Sequence, residues 1–317
     1  MKRFISVLIS ILFFASCSEK MDKASDDEVI AIRLKVGGEL IESQQPLSKT
    51  PSSALYGIQI YTSGNEKVAY GVFDNLTDAV IMLSKTKQYD IEMSYIPNGK
   101  DVIHYHSSND CWELPFNTFG WGASPLNQFV YSKNEYIYGL GGGSNTPAGD
   151  GNDRRRCIHN EVDRYYGFYK NYTPTEDGTI TVDMKRTVFG LTFKAKKVEN
   201  NDYEKIFIQL DADKTLSQLP KNYYITVDSN ADVSTLTIPF ICVQDVSNAA
   251  NNANYSEEIV ISIGTDEKPG DIFYGTINVK RNTMHIYEFE AKSEDSISNG
   301  LNINLDETPM NDETTNL

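Results

Sequence analysis

The sequence predicts an all-β protein of antiparallel β-sandwiches, and three observations carry that expectation. From Val29 onward apolar residues recur with period two in short runs. Clusters of Gly, Asn, Asp and Pro separate the runs, and no window keeps apolar spacing at i, i+3, i+4 and i+7 over three turns. Half-buried alternation of this kind belongs to antiparallel sheets with one face on a core and one in water. In the first run Ile30, Ile32, Leu34 and Val36 share one face, and Ala31, Arg33 and Lys35 the other. Tyr89, Ile91, Met93 and Tyr95 alternate in the same way with Asp90, Glu92 and Ser94. Further runs are LYGIQIY, VAYGVF, TITVDM, TVFGLTFKA, KIFIQL, YYITV, STLTIPFI, EEIVISI, IFYGTINV, MHIYEFEA and LNINL.

The runs are dense over residues 29–96, sparse over 97–178 and dense again over 179–305. The sparse stretch contains YGLGGGSNTPAGDGNDRRRC, from Tyr138 to Cys157, whose Gly, Pro, Asn and Asp are turn-forming residues. Loops of that length inside compact domains are uncommon unless they are functional or disordered. The expected organisation is an N-terminal sandwich over 29–184 carrying this excursion and a C-terminal sandwich over 185–305. The polar, acidic tail 306–317 is expected to be disordered. No repeat of fixed period is present.

The 317 residues suit about two domains. A 40% hydrophobic content with 19 Tyr and 14 Phe supplies ample core. The formal charge is −15, and becomes −17 without Lys2 and Arg3. Such a chain repels phosphate backbones, which argues against nucleic acid as a partner, and gains nothing from an anionic membrane surface.

The chain begins with Lys2-Arg3, the apolar run FISVLISILFFA and Ser16-Cys17. That is a signal peptide over 1–16, its apolar run of about twelve residues being too short to span a bilayer. Cys17 after Phe14-Ala15-Ser16 resembles the lipobox of bacterial lipoproteins, which implies acylation, palmitate included, at Cys17 as the first mature residue. Residues 17–28 then form a lipidated flexible tether, since SEKMDKASDDE lacks the apolar surface to order itself. Acidic residues behind the cysteine resemble the surface-export signal of some Bacteroidetes lipoproteins. The expected location is the outer membrane, lipid-anchored and facing the cell surface.

Constellations for chemistry are few. With Cys17 lipidated, Cys111, Cys157 and Cys242 remain, and in IPFICV the residues Ile238, Phe240 and Cys242 share a face, so Cys242 reads as a buried thiol. Cys111 and Cys157 could close a loop of about 46 residues, worth roughly 4 kcal/mol in the chain-entropy model. His104 and His106 lie on one face if extended, with Asp110 and Cys111 close behind. A metal site would need a third and a fourth ligand, and a plain strand end is the simpler reading. Asp150-Gly-Asn152-Asp153 opens like a calcium loop, but three arginines follow and no Glu stands at the twelfth position. Gly139 to Gly143 lacks the GK[ST] ending of a phosphate loop, and no G-x-S-x-G turn occurs. No metal, cofactor or enzymatic activity is therefore expected. Aromatic residues concentrate in the middle of the chain, with Trp112 and Trp121 among them. They either anchor the excursion or form a ligand platform.

The segment DRYYGFYKNYTPTEDGTITVDMKRTVFGLTFKA, from Asp163 to Ala195, with EEIVISI and INVKRNTMHIYEFE, resembles the fimbrillin-like lipoproteins of Bacteroidales of Mfa and FimA type. YGIQIYTSGNEKVAYGVFDNL is similar in character. The resemblance implies two transthyretin-like β-sandwich domains in tandem. It also implies a role as fimbrial anchor, accessory or tip subunit or as an adhesin, acting by β-strand addition. Its partners would be other fimbrial subunits or a host or bacterial surface ligand, protein or glycan. Polymerising fimbrillins are opened by an Arg-specific protease, whereas here Arg33 lies within the first strand run and the next arginine is Arg154. That departure points away from a major shaft subunit. A glycan-binding surface lipoprotein associated with polysaccharide uptake is the alternative.

Overall fold

The computed structural model describes residues 28–39, 53–106, 111–113, 117–118, 126–134, 136–138, 140, 162–196, 205–211, 221–228, 230–243, 246–264, 272–290 and 304–310. The N-terminal half contains β1 (Val29–Gly38), β2 (Leu55–Thr62), β3 (Lys67–Phe73), β4 (Val80–Ser84) and β5 (Tyr89–Ile96). Short strands follow: β6 (His104–His106), β7 (Cys111–Glu113), β8 (Asn117–Thr118), β9 (Gln128–Tyr131) and β10 (Ile137–Tyr138). Two long strands, β11 (Tyr165–Tyr172) and β12 (Gly178–Arg186), complete this half.

Eight of these strands form one sheet in the order β4-β1-β12-β11-β5-β2-β3-β9. Its pairs are antiparallel except β1 with β12, which run parallel from Ile32 opposite Gly178 to Gly38 opposite Met184. The sheet curls until its two ends approach, so that the Tyr131 hydroxyl on β9 accepts the Met82 N–H of β4 at 3.1 Å. The face inside the curl carries Ile32, Ile58, Ile60, Ile91, Met93 and Tyr95. The opposite face buries Leu55, Tyr70, Val72 and Ile96 under Ile137 and Leu140 of the excursion. β2 and β5 are thus buried on both faces, which places Gln59 and Glu92 inside the protein.

The C-terminal half contains β13 (Val188–Lys196), β14 (Lys205–Asp211), β15 (Lys221–Thr226), β16 (Val233–Cys242) and the short helix α1 (Val246–Asn251). It ends with β17 (Ser256–Gly264), β18 (Phe273–Lys280), β19 (Thr283–Glu290) and β20 (Asn304–Pro309). Two four-stranded sheets, β16-β13-β19-β20 and β15-β14-β17-β18, sandwich a core of Phe193, Leu191, Ile208, Ile261, Val279 and Phe289. One pair is again parallel, β13 with β19. The all-β sandwich architecture is as the alternation predicts, with a parallel pair added in each half.

Four local features differ from the sequence expectation. The tail expected to be disordered over 306–317 is ordered as far as Met310. β20 pairs with β19 from Thr283 opposite Pro309 to Glu288 opposite Asn304, and Met310 is buried. Main-chain ladder bonds order an acidic segment that has little apolar surface of its own. β11 is missing from the alternating runs because Tyr165 and Tyr166 are buried on opposite faces, which erases the polar half of the pattern. α1 is too short for a helical period to show. Finally, the register of β13 with β16 shifts between Phe189 and Leu191, around Pro239. Ile238 therefore packs in the main C-terminal core, while Phe240 and Cys242 pack with Val188, Met284 and Met310. Proline is tolerated there because β16 is an edge strand with a bulge.

Gly167 shows how closely β11 and β12 approach. A Cβ at this position would lie 2.6 Å from the Asp183 carbonyl oxygen and 2.8 Å from Val182 Cγ1. Gly167→Ala is expected to destabilise by about 1–3 kcal/mol, seen as a lower urea midpoint at unchanged m-value.

Candidate interaction surfaces

The buried polar groups come first, because they fix the surfaces. Glu92 on β5 accepts hydrogen bonds from the Tyr166 hydroxyl at 2.9 Å and the Tyr61 hydroxyl at 3.2 Å. Burial pushes its carboxyl up to about 7, against the opposing pull of the two phenols. Tyr61 is itself held well above the ordinary phenol range, by burial first and by Glu92 second. Beside it Gln59 accepts the Ile137 N–H at 3.0 Å and donates to the Ala69 carbonyl at 3.0 Å. Lys67 lies over the Tyr136 ring at 3.2 Å. These contacts dock the excursion onto β2 and β3.

A second cluster joins the two halves. Arg186, 2% exposed, makes a two-pronged pair with Asp163, Nε to Oδ1 at 2.8 Å and Nη2 to Oδ2 at 2.7 Å. Its Nη1 donates to the Met310 carbonyl at 3.0 Å, and its guanidinium lies over the rings of Tyr165 and Phe240. Glu39 accepts the Arg186 N–H at 3.0 Å and two contacts from Arg281 Nη1 at 2.9 and 3.0 Å. One network therefore ties together the chain after β1, the end of β12, the β18–β19 turn and the residue after β20.

Two surface features stand out. β18 is the outer strand of its sheet, contains no proline, and exposes Tyr274 at 69%. Edge strands can offer main-chain groups to a further strand. The other feature is an open hollow of about 510 Å³ lined by Phe168, Tyr169, Lys170, Asn171, Tyr172 and Thr173. The β11–β5 register shifts between Tyr169 and Tyr172, and Asn171 takes a φ of 58°. Asp90 accepts the Asn171 N–H at 2.8 Å, and the Gln88 side chain donates to its carbonyl at 3.3 Å. The rings of Tyr169 and Tyr172 meet edge to face at 6.0 Å. Burial, with Tyr169 adding to it, raises the Tyr172 phenol.

Of the residues singled out in the sequence, Cys17, Cys157 and Trp121 lie outside the described residues. Cys111 and Trp112 lie on β7, where the ladder alone is described. Cys242 is a buried thiol outside any disulfide. His285 is buried, its Nε2 accepting the Lys280 N–H at 2.9 Å. Among the residues whose side chains are described, no group of three His, Cys, Asp or Glu could hold a metal. No described helix is long and apolar enough to cross a membrane. The sequence did not single out Glu92, Arg186 or the Tyr169–Tyr172 pair. Only Asn171, a residue type enriched at positive φ, hinted at the kink.

No protein-family model matches the chain, and no curated protein matches it. Among solved structures it is similar to the tip fimbrial protein Mfa3 of Porphyromonas gingivalis with C-terminal truncation. The identity is 12%, coverage 89% of this chain and 100% of that chain, and the TM-score 0.35. The fimbrial anchor protein Mfa2 of the same organism is 10% identical over 89% of this chain and 97% of that one, with a TM-score of 0.38. A candidate polysaccharide-binding protein of Bacteroides thetaiotaomicron is 8% identical over 84% and 92%, also at 0.38. No family and no residue role passes from these proteins to this chain.

Proposed function

We propose that the chain is a bacterial cell-surface lipoprotein of fimbrillin type. In this reading acylated Cys17 holds it to the outer membrane through the 17–28 tether, and sandwiches over 29–184 and 185–305 project from it. It serves as a fimbrial anchor, accessory or tip subunit or as an adhesin, joined to its neighbours by β-strand addition. The place of β18 at the outside of its sheet among the described residues is the observation that carries this reading, because main-chain bonds along such an edge supply affinity and alternate side chains supply specificity. β1 supports a role other than shaft subunit. Arg33 is paired on both sides, opposite Thr179 and Val80, and Ile32 and Leu34 on either side of it are buried, so a protease would have to unzip the strand to cut there. Crosslinking on intact cells, followed by extraction and sizing, is expected to trap larger assemblies that Tyr274→Glu weakens. A species that stays monomeric would overturn the reading.

The hollow beside Tyr169 favours a second reading, binding of a surface glycan, with Trp112 and Trp121 as a further platform. A half-exposed ring beside an amide, an ammonium and a hydroxyl is chemistry that stacks on and hydrogen-bonds sugars. Glycan-array binding is then expected to fall about tenfold or more in Tyr169→Ala and in Asn171→Gly, which keeps the left-handed backbone and removes the amide. Binding equal to wild type in both would remove the hollow from consideration.

A further inference from the structure

β4 is an end strand of the eight-stranded sheet, and its outer main-chain donors are taken by side chains. It pairs with β1 from Val29 opposite Ser84 to Arg33 opposite Val80. Along such a strand successive N–H groups point alternately toward the partner and away from it. Met82 and Ser84, two residues apart, point theirs away and donate to phenols. The Tyr131 hydroxyl accepts the Met82 N–H at 3.1 Å, and the Tyr89 hydroxyl accepts the Ser84 N–H at 3.0 Å. Val80, the next position of the same set, follows the 3₁₀ turn Leu76–Asp78 and buried Ala79. Tyr89 is buried at the start of β5, whereas Tyr131 crosses from β9, the other end strand of the sheet, and is 55% exposed. A strand added to β4 would stand about 4.7–4.9 Å from it. The Tyr131 hydroxyl stands where a carbonyl oxygen of that strand would lie.

We propose that Tyr131 and Tyr89 cap the β4 edge and so keep a second copy of this chain from adding its own β4 there. The segment they cover is a template for self-pairing. Ala79-Val80-Ile81-Met82-Leu83-Ser84 contains no charge, proline or glycine, a composition that pairs with identical copies once its edge is bare. Met82 is 46% exposed, and Val29, opposite Ser84 on β1, is 53% exposed, so two copies would have apolar side chains to bury. Asp78 and Lys85 flank the segment with opposite charges, and antiparallel pairing of two copies brings one near the other. Such a pair uses the same strip on both copies about a two-fold axis, so it closes as a dimer and does not grow. The cap therefore reserves assembly for other edges of the molecule. It stands on the geometry of β4 alone and holds whether or not strands add at β18.

The test follows the full chain in detergent by sedimentation velocity over a wide range of concentration. Tyr131→Ala is expected to dimerise at least about tenfold more tightly than wild type. Tyr131→Phe, which keeps the ring and loses the hydroxyl, should fall between the two. Amide exchange locates the contact: the Met82 N–H should exchange faster in dilute Tyr131→Ala than in wild type, and slow again as the dimer forms. Met82→Pro, tolerated on an edge strand at an outward N–H, should return Tyr131→Ala to wild-type behaviour. Tyr274→Glu, at the β18 edge, should leave its dimer unchanged. A Tyr131→Ala protein that loses stability but associates no more than wild type would overturn the proposal, because Tyr131 would then only staple the curled sheet. So would a dimer that Met82→Pro leaves intact or that Tyr274→Glu abolishes. The last outcome would put the contact at β18 and leave the strand-addition reading standing. If Tyr131→Ala unfolds, Tyr131→Phe carries the same test by the same criteria.

Discussion

Arg186→Ala is expected to cost about 3–5 kcal/mol of stability, the range for breaking a buried ion pair by removing one partner. The substitution leaves the Asp163 carboxylate, whose side chain is 12% exposed, without its cation and strands the Met310 carbonyl. It also removes the positive charge between the Tyr165 and Phe240 rings. Arg186→Lys keeps the charge and loses the two-pronged geometry, so it should fall between wild type and alanine. Replacing both partners, Arg186→Met with Asp163→Leu, should recover much of the loss, because no charge is then left buried alone. Urea unfolding of all four proteins measures these differences. A loss below about 1 kcal/mol in the alanine variant would mean that the pair behaves like an exposed one. Because the network holds Met310, the same variant should loosen β20 first, seen as faster amide exchange over 304–310 than elsewhere.

The second large effect is a pH dependence that originates in Glu92. Its carboxyl is pushed up to about 7 in the folded protein, from an ordinary 4.5. The folded state therefore keeps a proton that the unfolded chain releases between these values. The stabilisation is fully present below about pH 4.5 and is lost as pH rises through about 7, amounting to ~3 kcal/mol. Asp74 contributes with the opposite sign at lower pH, because Lys100 holds its carboxyl below the usual range and that stabilisation is lost on acidification. The difference between wild type and Glu92→Gln isolates the Glu92 part. A glutamine can still accept from one phenol, and its amide can donate to the other. The variant should equal wild type near pH 4 and exceed it at pH 8. Parallel urea-midpoint curves over pH 4–8 would show that Glu92 does not titrate in this window.

Much of the strand content was legible. Ile30, Ile32 and Leu34 are buried and Arg33 and Lys35 exposed, as period two requires. The pattern fails where both faces are covered. Tyr165 and Tyr166 pack on opposite faces of β11, and Glu92 reads as a solvent-facing residue of an amphipathic strand although it is buried against Tyr61 and Tyr166. Alternation also assumes a continuous register, and the shift around Pro239 separates Ile238 from Phe240 and Cys242. The tail was misjudged because composition measures the apolar surface a segment can bury, whereas β20 is held through its backbone.

The candidate surfaces were less legible than the fold. Each depends on residues far apart in the chain, or on a ladder pairing that spacing alone leaves open. The sequence by itself determined the class, short alternating strands in a strongly acidic chain, because these depend on local pattern and composition. Only the tertiary structure decided which strands run parallel, which polar residues are buried and which strands end a sheet. Those depend on what covers the second face of each strand, and a strand's own sequence does not encode its neighbour.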